Sequence, residues 1–210
     1  TYATSYVRQA IGMQYTNYLT NSAAFEQTFV LRHPQTQLVS TIVTRGSQLG
    51  KYPNGINAVI AIACYNAYNQ EDAIVMNKSA AERGMFVADC FSTKMVVLEN
   101  TRSKTYVLGI PAQSVQRKRF SYNKLGPDGV IALGTYVNTF DVLVGVSCTT
   151  TVGGESAVLD ASEVIAESLE GKTVQVHETV ITTTADGATL VKVTLRFLKR
   201  VGVGDKFSSN

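Results

Sequence analysis

Apolar residues in this chain gather in short blocks separated by polar and turn-forming stretches, and most blocks carry strand-type side chains. The clearest block is Asn57-Ala-Val-Ile-Ala-Ile-Ala-Cys-Tyr65, which follows the turn signature Lys51-Tyr-Pro-Asn-Gly55. Proline fixes φ there and Asn-Gly supplies positive φ. A continuous apolar run bounded in this way predicts a strand buried on both faces. Residues 85–98 mix β-branched and aromatic side chains in strand-like order. Further strands are expected at 129–132, 141–146, 173–181 and 188–197, with Asp186-Gly187 as a hairpin turn between the last two. Helices are scarce. Asn77 or Ser79 is placed to cap a short helix that Gly84 ends.

Between these blocks the pattern weakens. Residues 2–19 read as irregular or as a short helix, and 28–47 as polar with a loop at His33-Pro34-Gln35. Residues 100–124 are polar and basic, and 152–170 read as a surface insertion, a loop with one helical turn. The fold class expected is mainly β, within α+β, with short helices and loop insertions. A barrel of short strands is the natural way to close its edges.

Length and composition narrow this picture only slightly. A chain of 210 residues with 45% apolar and 17% charged residues buries a sizeable core and is not disordered. Its net charge of +3 permits nucleic-acid binding without arguing for it. Cys64, Cys90 and Cys148 form no CxxC pair, and His33 and His177 stand apart from them, which argues against a zinc site. Cys64 and Cys90 lie in apolar runs and are expected to be buried free thiols, as in a reducing compartment. The sequence shows no signal peptide and no apolar run long enough to span a bilayer. It opens without Met and stops on Lys206-Phe-Ser-Ser-Asn210, so it reads as a piece of something longer.

Three stretches carry candidate chemistry. Glu71 and Asp72 are adjacent carboxylates after a run of turn-forming residues. Such a pair holds Mg²⁺ directly or through water, since that ion takes hard oxygen ligands, but an exposed Glu-Asp is more often simply solvated. Gly202-Val-Gly-Asp-Lys206 presents one lysine on a Gly-rich turn, which suits phosphate contact, although it lacks the spacing of a Walker loop. Arg117-Lys118-Arg119, near Phe120 and Tyr122, reads as a solvated basic loop before it reads as a phosphate contact. No nucleophile triad is visible.

The order of the motifs goes further than any one of them. Gln9-Ala-Ile-Gly12, Asn57-Ala-Val-Ile-Ala-Ile-Ala63, Tyr68-Asn-Gln-Glu-Asp-Ala-Ile-Val-Met-Asn77, Glu82-Arg-Gly-Met-Phe86, Leu125-Gly-Pro-Asp-Gly-Val-Ile-Ala132 and Gly204-Asp-Lys-Phe207 follow one another here. In sequence and spacing they resemble the second-largest, beta-type subunit of multisubunit DNA-directed RNA polymerases, in its eukaryotic, archaeal and viral forms. The resemblance implies a double-psi β-barrel hybrid-binding region over residues 51–210, incomplete at its C-terminus, and an active-centre-lining segment over 1–50. It implies template-directed RNA synthesis from nucleoside triphosphates with Mg²⁺ shared with the largest subunit. Glu71 and Asp72 match the family's acidic pair near the second Mg²⁺, a contact that is expected to be indirect. Lys206 matches the first of two lysines that contact RNA near its growing end. Gln9 and Tyr2 match positions that line the nucleotide and the RNA 3′ end.

The implied partners are the largest subunit, small assembly subunits, template DNA, the transcript and nucleoside triphosphates, with no membrane. The implied location is nucleus or cytoplasm, or a viral factory or virion for a viral polymerase. Two departures stand out. Ala67 replaces the family's usual glycine, and the chain ends at Asn210, where the family's pattern places Arg, so the second lysine is absent. The alternative reading is a non-catalytic nucleic-acid-binding or assembly module of a polymerase-like complex. Without the largest subunit's aspartates, the 210-residue chain alone is expected not to polymerise RNA. It is also expected to be marginally stable and to aggregate through open edges and apolar surface. Calorimetry and sedimentation check this, and a soluble monomer with a cooperative melt contradicts it.

Overall fold

The computed structural model describes residues 27–46, 51, 53, 55–152, 155–165, 169 and 171–207. Among the described residues, ten strands and two short helices follow in chain order. They are β1 (Gln27–Leu31), α1 (Ile42–Gly46), α2 (Lys78–Glu82), β2 (Ala88–Leu98), β3 (Lys104–Leu108), β4 (Tyr136–Val137) and β5 (Val142–Val144). After these come β6 (Val146–Val152), β7 (Glu155–Asp160), β8 (Glu163–Val164), β9 (Val174–Thr183) and β10 (Thr189–Lys199). The strands form three sheets, ordered β1-β2-β10-β9-β4, β3-β6-β7 and β5-β8. The mainly β class holds. The barrel closure that the resemblance implies is not among the described pairings. The described residues divide into two units, one of 28–90 and 199–207, the other of 27 and 91–198.

The second unit holds the dense core. Along β10, Val191, Val193 and Leu195 are fully buried and Phe197 nearly so, while Lys192, Thr194 and Arg196 alternate onto the other face. Each such aliphatic side chain contributes about 1.5–3 kcal/mol by leaving water. Its partner β9 keeps this parity only through a bulge. Thr194 faces Glu178 but Leu195 faces Val176, which leaves His177 as the extra residue. An inserted residue shifts which side chains point inward. Val174 and Val176 therefore stay in the core, and the His177 ring packs 4.9 Å from Phe91. Asp186-Gly187 forms the expected hairpin, with Gly187 at φ +82° and the Thr184 N–H donating to Ala188 at 2.8 Å.

β5 is buried at all three positions. It leads into a close backbone crossing, where the Gly109 N–H donates to Gly145 and the Gly145 N–H donates to Gly129. A Cβ on Gly129 would lie 2.5 Å from Gly109 Cα, at a φ of +78°, so only glycine fits. Residues 152–170, expected as a loop, instead supply β7 and β8. β7 pairs with β6 from Ser147↔Asp160 to Val152↔Glu155. Its side chains are exposed along most of its length, which hides the strand from hydrophobic periodicity. β3 lies within the stretch read as polar and basic and is missed for the same reason, since its positions are mostly exposed.

Asp160 ends β7 in a buried polar knot. It accepts from Arg117 Nε at 3.1 Å, from the Ser162 N–H at 2.9 Å and from the Tyr122 hydroxyl. Arg117 also donates to the Ser162 carbonyl and lies 4.7 Å over the Phe120 ring. Arg117 is therefore a structural group, not a free phosphate contact. Burial opposes ionisation of Asp160, but the hydrogen bonds from Ser162, Tyr122 and Arg117 outweigh it and hold the carboxyl below its usual range. Burial, together with the bond to Asp160, pushes the Tyr122 phenol up.

The first unit is built differently. Residues 57–64, expected as a doubly buried strand, belong to no strand or sheet, and Val59, Ile60 and Ile62 are exposed. Among the described residues no backbone group of 58–64 bonds to another strand, so periodicity has nothing to bury against. Cys64 is consequently exposed, against expectation, whereas Cys90 and Cys148 are buried thiols outside any disulfide. The short helix is as expected. The Asn77 side chain accepts from the Ala80 N–H at 3.0 Å, α2 follows, and Gly84 leaves it at φ +105°.

The Asp160 knot gives a stability prediction. Asp160→Asn is expected to lower unfolding stability by about 3 kcal/mol, because a buried partner of Arg117 and Tyr122 is removed. A depressed carboxyl adds stability above its unfolded pKa and loses it as pH falls through the folded value. Acid unfolding of the native sequence should therefore include a step below the usual carboxylate range. Denaturant titration at several pH values should show that step absent in Asp160→Asn.

Candidate functional site

The carboxylate loop is built from two consecutive tight turns. The Tyr68 N–H donates to the Tyr65 carbonyl at 2.9 Å, closing the first, whose central residues Asn66 and Ala67 sit at φ +47° and +63°. Positive φ at both central positions is the pattern of a hairpin-type turn. The Ala73 N–H donates to the Gln70 carbonyl at 2.9 Å, closing the second around Glu71 and Asp72, with Glu71 at φ +54°. Three non-glycine residues in left-handed geometry cost of order 1 kcal/mol each or more, so something must hold them. Part of the restraint comes from Asn69, whose amide bonds back to residues 63 and 65.

Glu71 and Asp72 are both exposed, and neither side chain has a hydrogen-bond or ion-pair partner among the described residues. Two neighbouring carboxylates without a counter-charge repel one another and attract cations. Lys206 belongs to the same unit and directly follows a turn at 202–205. Asp205 shapes that turn by accepting from the Gly202 N–H and from Lys199 Nζ, each at 2.9 Å. The Lys199 bond, with the Gly202 amide second, holds the Asp205 carboxyl below its usual range. Phe207 packs against Phe86, ring centroids 4.8 Å apart, and Phe86 itself sits at φ +58° just after α2. Lys206 is left exposed, with no partner among the described residues.

The structure thus gathers Glu71, Asp72 and Lys206 in one unit, and no contact among the described residues joins the lysine to the carboxylates. Gln9 and Tyr2 lie outside the described residues. Sequence reasoning missed the supports: Asn69, Asp205 and the Phe86–Phe207 pair. Their faint signals were an asparagine between two turn-forming pairs and an aromatic directly after the candidate lysine.

Could this donor set hold a metal? Among the described residues no group of three or more His, Cys, Asp or Glu side chains converges. Two carboxylates alone fit an ion that arrives with most of its ligands, because Mg²⁺ keeps several waters and is commonly held by one or two carboxylates plus substrate phosphates. No helix among the described residues is long and apolar enough to cross a membrane.

Comparison with known proteins assigns this β-rich module with its carboxylate and lysine turns to RNA polymerases. The family model for RNA polymerase Rpb2, domain 6, matches residues 1–210, and the chain belongs to that family. It is 34% identical over 208 residues to the probable DNA-directed RNA polymerase II subunit RPB2 homolog of Invertebrate iridescent virus 3, covering 98% of this chain and 17% of the relative. It is 34% identical over 219 residues to DNA-directed RNA polymerase II subunit 2 of Arabidopsis thaliana, covering 100% and 18%. To the DNA-directed RNA polymerase subunit Rpo2 of Saccharolobus shibatae it is 31% identical over 219 residues, covering 100% and 19%. The chain therefore spans under a fifth of the length of these relatives.

The lysine turn gives a test of its own. Asp205→Ala removes the acceptor for Lys199 and Gly202. Amide hydrogen exchange at Gly202 and Asp205 is expected to speed up several-fold, with the β9–β10 hairpin unaffected. Acidifying the native chain through the depressed Asp205 pKa should produce the same loosening, since the bond is lost as the carboxylate protonates. Unchanged exchange in the variant would show that the turn is held elsewhere.

Proposed function

We propose that this chain is part of the second-largest subunit of a DNA-directed RNA polymerase, and that Glu71 and Asp72 act at the phosphates of the incoming nucleoside triphosphate. The observation that carries the reading is the pair itself: two exposed carboxylates without a counter-charge, held side by side on a left-handed loop. Family membership over the whole chain supplies the reaction. In that reaction the RNA 3′ oxygen attacks the α-phosphorus, the α–β bridging bond breaks and pyrophosphate leaves.

Magnesium bound with the triphosphate neutralises charge on its oxygens. Glu71 and Asp72 offer hard oxygens to it, directly or through water. Lys206 aims a point charge at the phosphate backbone of the RNA near its growing end, and the Asp205–Lys199 bond keeps the turn in shape for it. Gln9 and Tyr2 are assigned to the nucleotide and the RNA 3′ end by the resemblance alone. Partners in this reading are the other polymerase subunits, template DNA and transcript, and the location is wherever that polymerase transcribes.

A second reading, an assembly or nucleic-acid-holding module without a chemical role, is favoured by the exposed apolar run at 57–64. An uncovered stretch of that kind marks a surface for another chain segment. The two readings separate by mutation in the assembled polymerase. Glu71→Ala with Asp72→Ala is expected to slow single-nucleotide addition roughly 10- to 100-fold, the range seen when outer supports of a metal site are removed. Rapid-quench measurement on an RNA–DNA scaffold reads this. A normal addition rate in a complex that merely falls apart sooner would favour the assembly module.

A further inference from the structure

We propose that Asn69 is a positioning residue for the carboxylate pair, a role that rests on the reading of Glu71 and Asp72 given above. From residue 57 to residue 75, Asn69 is the one side chain that is not exposed. The loop therefore has no hydrophobic anchor of its own, and what turns inward is an amide. Asn69 Nδ2 donates to the Ala63 carbonyl at 2.6 Å, and its Oδ1 accepts from the Tyr65 N–H at 3.0 Å.

The placement gives those two bonds leverage. Asn69 stands between the turn closed by Tyr65 and Tyr68 and the turn closed by Gln70 and Ala73. Its amide ties the junction back to the segment that enters the first turn. Only Gln70 separates it from Glu71. Cutting the tie leaves the second turn free to swing on the first, and the carboxylates swing with it.

The chemistry demands an amide. The site needs one donor for Ala63 and one acceptor for Tyr65, which a primary amide supplies from a single rigid plane. Aspartate keeps the acceptor, loses the donor and turns a carboxylate toward the Ala63 carbonyl. It also adds a third negative charge beside Glu71 and Asp72. Glutamine has the right groups on a longer stem with an extra rotatable bond. The two bonds contribute about 1 kcal/mol each, similar to the cost of the left-handed residues they restrain. Neither can be lost without the loop's geometry changing.

The test uses the full-length subunit in the assembled polymerase, with a nucleoside triphosphate and Mg²⁺ on an RNA–DNA scaffold. Asn69→Ala is expected to lower the maximal rate of single-nucleotide addition about tenfold and to raise the Mg²⁺ concentration for half-maximal rate. Scaffold binding should be unchanged. Added to Glu71→Ala/Asp72→Ala, it is expected to cause no further loss, because it acts through those groups. If the Asn69→Ala complex does not assemble, Asn69→Asp carries the same comparison. A loss that multiplies with that of the carboxylate variant would overturn the proposal, since Asn69 would then act independently. A native rate and Mg²⁺ requirement in Asn69→Ala, with the carboxylate variant impaired, would overturn it while leaving the site intact. A carboxylate variant that adds nucleotides normally would remove the site and this role together.

Discussion

Two like charges presented side by side on an exposed loop have to be held by the loop's own backbone, and that constraint governs the first unit of this protein. Among residues 57–75 no side chain is buried, so no core within the loop supports Glu71 and Asp72. Their place depends on left-handed geometry at Asn66, Ala67 and Glu71 and on the Asn69 amide that spans the junction. The magnitudes on the two sides are close: of order 1 kcal/mol for each strained residue against about 1 kcal/mol for each hydrogen bond. A loop so balanced is defined but not deeply stable. In the proposed reading its final geometry is set when the cation carried by a triphosphate supplies the missing positive charge.

The second unit contrasts with this. Its β9–β10 hairpin, the buried β5 strand and the Gly109–Gly129–Gly145 crossing pack a dense core with no room for a side chain at Gly129. The Asp160 knot adds a polar lock at the end of β7. Neither unit contains a full set of metal ligands among the described residues. The chain spans under a fifth of its relatives' length.

Where the sequence was legible, a local rule and the tertiary setting agreed. Asp186-Gly187 had to turn, Asn77 had to cap, and the alternation along β10 had a core to face. Residues 57–64 show the opposite case. Their apolar run has a strand's composition, but a strand is a property of pairs, and no strand pairs with it among the described residues. β3 and β7 are strands with largely exposed side chains, so hydrophobic patterning carried no trace of them. At the candidate site, Glu71, Asp72 and Lys206 were readable as residue types and, in combination, as a resemblance. Asn69 was not, because its role lies in two bonds to backbone atoms that only the folded turn brings within reach.

The central claim is that the carboxylate pair meets the incoming nucleotide, and the most direct measurement is a structure of the assembled polymerase with scaffold, Mg²⁺ and a non-hydrolysable nucleoside triphosphate. The account predicts the Glu71 and Asp72 oxygens within direct or one-water reach of the cation on the triphosphate, roughly 2–5 Å from it. Carboxylates turned into a protein interface or bulk solvent, with the triphosphate's cation held entirely by other chains, would contradict it.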